Sequence, residues 1–280
     1  MPTSPTPVSP DSLDEVAVLV PALNEEASLP GLLRGLARAG VGTVVVVDNG
    51  SSDRTATVAA AEGATVLREE ERGYGAACIR GIEHLAFGDD PPTALAFVDA
   101  DARAELAHLS RLVGPVLRDE ADLVLGVREG PAGRPGNLHF HARLGNHLVL
   151  GCARLLFGLR HGDLAPFRAV RFPSLLALEM DDRNWGWTLQ MQIRAHRKGL
   201  RVREIAVPHR PRSAGRSKIS GSLGASVRVG AKMFYTLLRE RFRGVPVSPG
   251  WGRHPDSSSS SSRKESTASR EGRGRSSWGT

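Results

Sequence analysis

The chain has 280 residues, 40% of them hydrophobic and 5% aromatic, with a formal net charge of +7. That is enough apolar material for one sizeable α/β domain, and the charge favours anionic partners such as nucleotide diphosphates and anionic lipid headgroups; no nucleic-acid module is visible. Two cysteines, Cys78 and Cys152, exclude a disulfide framework or a cysteine metal cluster, and the most apolar long stretch, Leu144 to Leu159, is interrupted by Asn146, His147 and Arg154 and is no membrane span.

Residues 1 to 13 are rich in Pro, Ser and Thr and are expected to be disordered; they lack the basic start and apolar core of a secretory signal. Val16–Val20 reads as a buried strand ending in Pro21-Ala22-Leu23-Asn24-Glu25-Glu26, with a helix predicted over Ala27–Arg38. Thr43–Val47 is a β-branched run that breaks on Asp48-Asn49-Gly50-Ser51-Ser52, a turn sequence. Asp53 then stands where it can cap a helix over Asp53–Glu62. Strands are predicted at Thr65–Leu67, Ala94–Val98 and Asp122–Leu125, and helices at Gly75–Ala86 and Glu105–Leu117. Alternation of this kind predicts a mostly parallel sheet flanked by helices. A Gly/Pro loop over residues 128–136 leads to a helix over His139–Phe157, an irregular region through Gln192 and a strand near Val202–Val207. Residues 220–240 read as a helix, and from about Ser248 the chain is Ser, Arg and Gly, including six serines at 257–262. The expected division is a disordered segment 1–13, a catalytic domain 14–218, an amphipathic helix 219–243 and a disordered tail 244–280.

Three strands end in acidic or amide groups, and in an open parallel sheet those ends share one ligand-binding edge. A carboxylate such as Asp48 suits a ribose hydroxyl or a base N–H. Asp99 and Asp101, two apart at a strand end, point to one side and offer hard oxygen ligands for Mg²⁺ or Mn²⁺. Gly73-Tyr74-Gly75 lacks the third glycine and the position of a dinucleotide fingerprint, which disfavours a dehydrogenase. In Arg212-Ser213-Ala214-Gly215-Arg216-Ser217-Lys218, the donors of Arg212, Ser217 and Lys218 suit phosphate oxygens. In the last helix Leu223, Val227, Ala231, Phe234 and Leu238 share one side, and Arg228, Lys232, Tyr235 and Arg239 follow another. Such a helix suits an anionic membrane surface, or packs on the catalytic domain or a second subunit.

In order along the chain, Pro21-Ala22-Leu23-Asn24-Glu25-Glu26, Val47-Asp48-Asn49-Gly50-Ser51-Ser52-Asp53, Arg72-Gly73-Tyr74-Gly75-Ala76-Ala77 and Asp99-Ala100-Asp101 resemble the signature of family 2 glycosyltransferases with the GT-A fold. The resemblance runs from about Val16 to about Lys218 and is nearest to the branch of dolichyl- and polyprenyl-phosphate mannose and glucose synthases. It implies a single GT-A-like domain and inverting transfer from a nucleotide-diphosphate sugar, GDP-mannose or a UDP-hexose. It implies that Pro21, Leu23, Asn24 and Glu25 frame the nucleoside, that Asp48 contacts the base, and that Gly73 and Asp99 lie beside the nucleotide. Asp99 and Asp101 would hold the metal, with Asp101 and Arg128 among the catalytic residues. Arg128, Arg143 and Asn146 fit the polyprenyl-phosphate branch. Asp163 fits a position on the acceptor side, where Arg168 either binds phosphate or pairs with Asp163. Arg212, Ser217 and Lys218 resemble a loop that closes over the diphosphate. The acceptor so implied is a polyprenyl phosphate at the inner face of the cell membrane, met by a cytoplasmic, peripheral enzyme.

One segment departs from the pattern. Where relatives carry a Glu-containing triplet, this chain has Gln190-Met191-Gln192, and amides cannot serve as a base at neutral pH. A hydroxyl acceptor would then require Asp181 or Asp182 as base, and Asp182 is the candidate. A phosphate acceptor requires none, because its second pKa is about 6. Two further readings are a non-catalytic nucleotide-sugar-binding protein and a sugar-nucleotide pyrophosphorylase. The second needs a Gly-rich loop after the first strand, and Pro21-Ala22-Leu23-Asn24-Glu25 is not one.

Overall fold

The computed structural model describes residues 12–102, 105–129, 140–208 and 223–243. Among them, seven strands form one sheet in the order β3-β2-β1-β4-β6-β5-β7. The strands are β1 (Val16–Ala22), β2 (Thr43–Asp48), β3 (Thr65–Arg68), β4 (Ala94–Phe97), β5 (Leu123–Glu129), β6 (Arg168–Arg171) and β7 (Val202–Pro208). All neighbours run parallel except β6, which is antiparallel to both β4 and β5. The expected α/β domain with a mostly parallel sheet is therefore what forms.

Continuous apolar strands require cover on both faces, and the pleat sorts β1 between two cores. Val16, Val18 and Val20 pack with Leu29, Leu32 and Leu36 of α1 (Leu29–Arg38) and with Leu109 and Leu112 of α4 (Leu109–Leu117). Ala17 and Leu19 pack with Ala77, Cys78 and Ile82 of α3 (Tyr74–Ala86) and with Met191 of α7 (Trp187–Arg197). The helix α2 (Thr55–Ala61) follows β2. Leu13, assigned above to the disordered segment, is buried in the first core and its carbonyl accepts the Val16 and Gly42 N–H groups.

The helix predicted over Glu105–Leu117 divides into a 3-10 turn at Glu105–His108 and α4, which carries Pro115 inside it. The region expected to be irregular contains β6, α6 (Phe172–Ala177) and the start of α7. The helix α5 (Phe140–Phe157) shares a third apolar cluster with α7 and α8 (Leu223–Phe242), through Val149, Ala153, Leu189, Ile193 and Leu237. No helix among the described residues is long and apolar enough to cross a membrane.

The stripe that docks α8 is not its apolar one. Thr236, Leu237 and Glu240 are buried against the domain, whereas Phe234 and Leu238 remain 52% and 41% exposed. The docked stripe is polar because it meets charge. Glu240 receives Arg194 Nε and Nη2 at 2.9–3.2 Å and Gln190 Nε2 at 2.7 Å, with both members of the ion pair buried. Removing one partner from such a pair strands the other charge. Glu240→Ala is expected to cost about 3–5 kcal/mol, read as a lower urea midpoint and faster hydrogen exchange in α8.

A second ion pair fastens β5 to β7. Asp122 accepts Arg201 Nε and Nη2, each at 3.0 Å, and these bonds hold its carboxyl at about 2, below the usual 3.8. A carboxyl depressed in the folded state stabilises above its unfolded pKa and loses that contribution as pH falls through the folded value. Between about pH 4 and pH 2, stability is expected to fall more steeply in the wild type than in Asp122→Asn, as measured by urea unfolding.

Candidate functional site

Parallel strands deliver their C-terminal ends to one edge, and there the loops after β1 and β2 brace each other. Asn24 adopts a left-handed backbone (φ 51°), and its Oδ1 accepts the Ser52 N–H at 2.8 Å while its own N–H donates to Ser51 Oγ at 2.9 Å. The Glu25 N–H donates to Thr55 Oγ1 at 2.8 Å, and Glu26 Oε2 accepts the Arg54 N–H at 3.1 Å. Asp53 accepts the N–H of Thr55, the first residue of α2, and also the Glu26 N–H. Burial works to raise the Asp53 carboxyl, but the Thr55 bonds outweigh it and hold it low. Asp48, nearly buried at the tip of β2, accepts the Ser51 N–H at 3.0 Å and shapes the turn. Pro21, Leu23, Asn24, Glu25 and Asp48 thus lie in one corner at the ends of β1 and β2.

Asn49 ties this corner to the segment before α3. Its Nδ2 donates to the Glu71 carbonyl at 2.6 Å, and its Oδ1 accepts the Gly73 N–H at 2.8 Å. On the other side the 72–75 loop presses on the chain at 182–183. A Cβ on Gly73 would lie 2.0 Å from the Arg183 carbonyl oxygen, and one on Gly75 would lie 1.8 Å from that of Asp182. The Ala76 N–H donates to the Arg183 carbonyl at 2.9 Å. Only glycine permits this approach.

Asp99 and Asp101 follow β4, partly exposed on either side of the buried Ala100. Two carboxylates in one turn provide hard oxygen donors, and Mg²⁺ is commonly held by one or two carboxylates together with substrate phosphates. The donor set therefore fits a divalent cation that shares its shell with a diphosphate. No group of three or more His, Cys, Asp or Glu suited to a metal occurs among the described residues.

Arg128, near the end of β5, grips Asp163 with Nε and Nη2, both at 2.7 Å, and Asn146 of α5 adds a bond to Asp163 at 3.1 Å. Burial opposes the Arg128 charge, but the Asp163 bonds outweigh it, and Asp99 and Glu105 favour the charge further. Arg168 therefore does not pair with Asp163. It is fully buried, bonded through Nη1 to the Ala165 carbonyl at 3.1 Å and to Thr188 Oγ1 at 2.8 Å, with its guanidinium 4.7 Å from the centre of the Phe97 ring. A phosphate at the surface does not meet it there.

The carboxylates offered as a base are engaged elsewhere. Asp182 is 1% exposed and accepts the Asn184 N–H at 2.8 Å and Thr236 Oγ1 at 3.2 Å, with Lys232 Nζ at 3.1 Å. Asp181 pairs with Arg194, Arg239 and Arg243. Burial works to raise Asp181, but the bonds to Arg243 and Gln190 and the charges of Arg194 and Arg239 outweigh it and hold it low. The Gln190-Met191-Gln192 triplet is wholly buried. Gln190 Oε1 accepts the Asp181 and Asp182 N–H groups, and Gln192 bonds the Asp163 carbonyl and His161. Burial lowers the His161 pKa.

Arg212, Ser217, Lys218 and the side chain of Arg143 lie outside the described residues. Asn49, Gln190 and Glu240 were not singled out as supports of the site. Their partners are 20 or more positions away for Asn49 and 50 for the Gln190–Glu240 bond, and only Asn49-Gly50 carried a signal, read as a turn.

Acidic and amide groups at the ends of β1, β2 and β4, with half-buried Arg128 near the end of β5, form the kind of edge at which open α/β sheets bind nucleotides. The chain belongs to glycosyl transferase family 2, whose model matches residues 17–177. It is a nucleotide-sugar glycosyltransferase. An uncharacterized glycosyltransferase of Mycobacterium tuberculosis is 41% identical over 216 residues, covering 76% of this chain and 94% of the relative. The undecaprenyl-phosphate mannosyltransferase of Micrococcus luteus is 33% identical, covering 74% of this chain and 88% of the relative. Glucosyl-3-phosphoglycerate synthase from Mycobacterium tuberculosis, in a crystal structure with Mn²⁺, UDP-glucose and phosphoglyceric acid, superposes with a TM-score of 0.65 at 23% identity, covering 83% of this chain and 81% of the other. That likeness is one of fold.

Gly75→Ala places its methyl group against backbone rather than a side chain that can turn away. It is expected to displace the 72–75 loop, cost about 1–3 kcal/mol of stability and weaken nucleoside-diphosphate binding at least tenfold by titration calorimetry.

Proposed function

We propose that this glycosyltransferase moves a hexose from GDP-mannose or a UDP-hexose to a polyprenyl phosphate at an anionic membrane surface. The observation that carries the reading is the state of the two candidate bases. Asp181 and Asp182 are held by arginines, Lys232 and Thr236, and Gln190 is buried between them and Glu240. An alcohol acceptor must lose its proton to a base, whereas a phosphate monoester is largely a dianion near neutral pH. The mannosyltransferase relative, named for an undecaprenyl-phosphate substrate, supports the same acceptor class.

In this reading an acceptor phosphate oxygen forms the new bond to the anomeric carbon as that carbon's bond to the donor diphosphate breaks in line. The electron pair leaves with the nucleoside diphosphate, and the anomeric configuration inverts. Asn24, Glu25 and Asp48 hold the nucleoside with Pro21 and Leu23, and the backbone of Gly73 passes close to it. Asp99 and Asp101 would hold Mg²⁺ or Mn²⁺, which when bound would supply positive charge against the leaving diphosphate. Arg128 adds positive charge beside Asp99, and Arg143, Arg212, Ser217 and Lys218 are proposed to bind phosphate oxygens. Exposed Leu148 and Leu155 on α5 and Phe234, Tyr235, Leu238 and Phe242 on α8, with Arg239, Arg241 and Arg243 beside them, support a lipid surface as the place of reaction.

The test supplies GDP-mannose, UDP-glucose and UDP-N-acetylglucosamine separately with Mn²⁺, with and without a short polyprenyl phosphate. One donor is expected to yield a lipid-linked sugar, and Asp101→Ala is expected to lower turnover by about a hundredfold or more. Donor binding without lipid transfer sinks the lipid acceptor. Transfer to a soluble alcohol that is abolished in Asp182→Asn would establish Asp182 as base instead.

A further inference from the structure

Arg168 carries a charge into the interior and leaves half of it unanswered. Its Nη1 has two partners, but Nε and Nη2 have none among the described residues, although both atoms are buried. These two N–H groups form the side-on edge of the guanidinium, the same edge with which Arg128 grips both oxygens of Asp163. A buried edge of this kind calls for an oxyanion or for water that leads to one.

The sheet register indicates which oxyanion. Arg168 on β6 lies opposite Phe97, the last residue of β4, and its guanidinium covers the Phe97 ring. The pairing of β4 with β1 runs one residue past Phe97, since the Val98 N–H donates to the Leu19 carbonyl at 3.1 Å. Asp99, two residues beyond Phe97, therefore emerges on the side of the sheet that Phe97 and Arg168 occupy, as the diagonal neighbour of Arg168 within reach of a long side chain. The surroundings agree. Burial raises both the Tyr74 hydroxyl and the Cys78 thiol; Arg168 pulls the two down, while Asp99 pushes them up. Trp187 Nε1, buried in the same apolar core as Phe97, also lacks a partner among the described residues, which gives bridging water a further polar contact.

We propose that Arg168 is a positioning residue for Asp99: its Nε/Nη2 edge holds the Asp99 carboxylate through bridging water, in the orientation that binds the divalent cation. The inference rests on the reading of Asp99 and Asp101 as the metal-holding pair. It gives a buried cation a reason to stand on β6 opposite the end of β4.

Full-length wild type, Arg168→Met, Arg168→Lys and Asp101→Ala would be compared by Mn²⁺ titration in the presence of saturating nucleoside diphosphate, followed by electron paramagnetic resonance, beside thermal melts of the same samples. Residues that orient a metal ligand change affinity by about 10–100-fold when lost. Half-saturating Mn²⁺ is expected to rise at least tenfold in Arg168→Met and by less in Arg168→Lys, which keeps a cation. Metal-free nucleotide binding should stay within about threefold, equivalent to about 0.7 kcal/mol. A purely structural Arg168 would lower the melting temperature and leave the Mn²⁺ titration of the folded protein unmoved. Half-saturation within twofold of wild type in either folded variant overturns the proposal, and Arg168→Lys decides alone where Arg168→Met does not fold. Wild type and Asp101→Ala with the same Mn²⁺ titration overturn the metal reading and this proposal together. A loss in Asp101→Ala with none in the Arg168 variants overturns this proposal only.

Discussion

The backbone of Gly75 lies so near the Asp182 carbonyl that an added methyl carbon would sit 1.8 Å from it, and much of the ligand edge depends on that closeness. The contact joins the segment that opens α3 to the segment that opens α7, which are over a hundred residues apart in sequence. Asn49 holds the 72–75 loop from the β2 side, and the Arg183 carbonyl holds it from the other by accepting the Ala76 N–H. The loop is therefore a wedge between the corner at the ends of β1 and β2 and the 182–183 segment. Its position is set by the Asn49 side chain on one side and by backbone groups with little freedom to rotate on the other. The side chain of Asp182 extends the same junction to α8 through Thr236 and Lys232, and at Gly186 a Cβ would strike both Thr236 Oγ1 and Asp182 Oδ2. Glycines at 73, 75 and 186 thus serve one crowded joint.

Three arginines, two buried and one half-buried, show how differently the chain answers interior charge. Arg194 is matched by Glu240 and also donates to the Leu178 and Glu179 carbonyls, so its guanidinium is fully spent on structure. Arg128 is matched by Asp163 yet still 20% exposed, which leaves its field open toward Asp99. Arg168 is deepest and least satisfied by protein groups. Burying a charge without a partner is costly, so stability alone accounts for Arg194 but not for Arg168.

The parts legible in the sequence are those where one face or both faces are uniformly apolar. β1, β2 and β4 read as strands because both faces are buried, and α1 read as a helix because Leu29, Leu32, Leu33 and Leu36 recur at its period. The order of motifs at the strand ends carried the family. What did not read was polar and buried. β6 places two arginines around Ala169 and Val170, and its covered face includes Arg168 itself, so no apolar run marks it. In α7 the buried set includes Gln190, Gln192 and Arg194, which hides the helical period. The docking stripe of α8 was missed for the same reason, since Thr236 and Glu240 resemble a solvated face until Arg194 and Gln190 are placed beneath them.

The absent glutamate of the triplet has its explanation in this polar interior. The side chain at 190 lies among Asp181, Asp182 and Glu240, with its oxygen accepting two backbone N–H groups and its nitrogen donating to two carboxylates. An amide fills both roles because it carries a donor and an acceptor on one plane. An ionised glutamate would keep the acceptor but set a third negative oxygen against Asp181 and Glu240, where the amide now donates. Gln190 thus spends its chemistry on binding α7 to α8 and to the 181–182 segment. An amide at 190 offers no base, and the same side chain fastens the C-terminal helix.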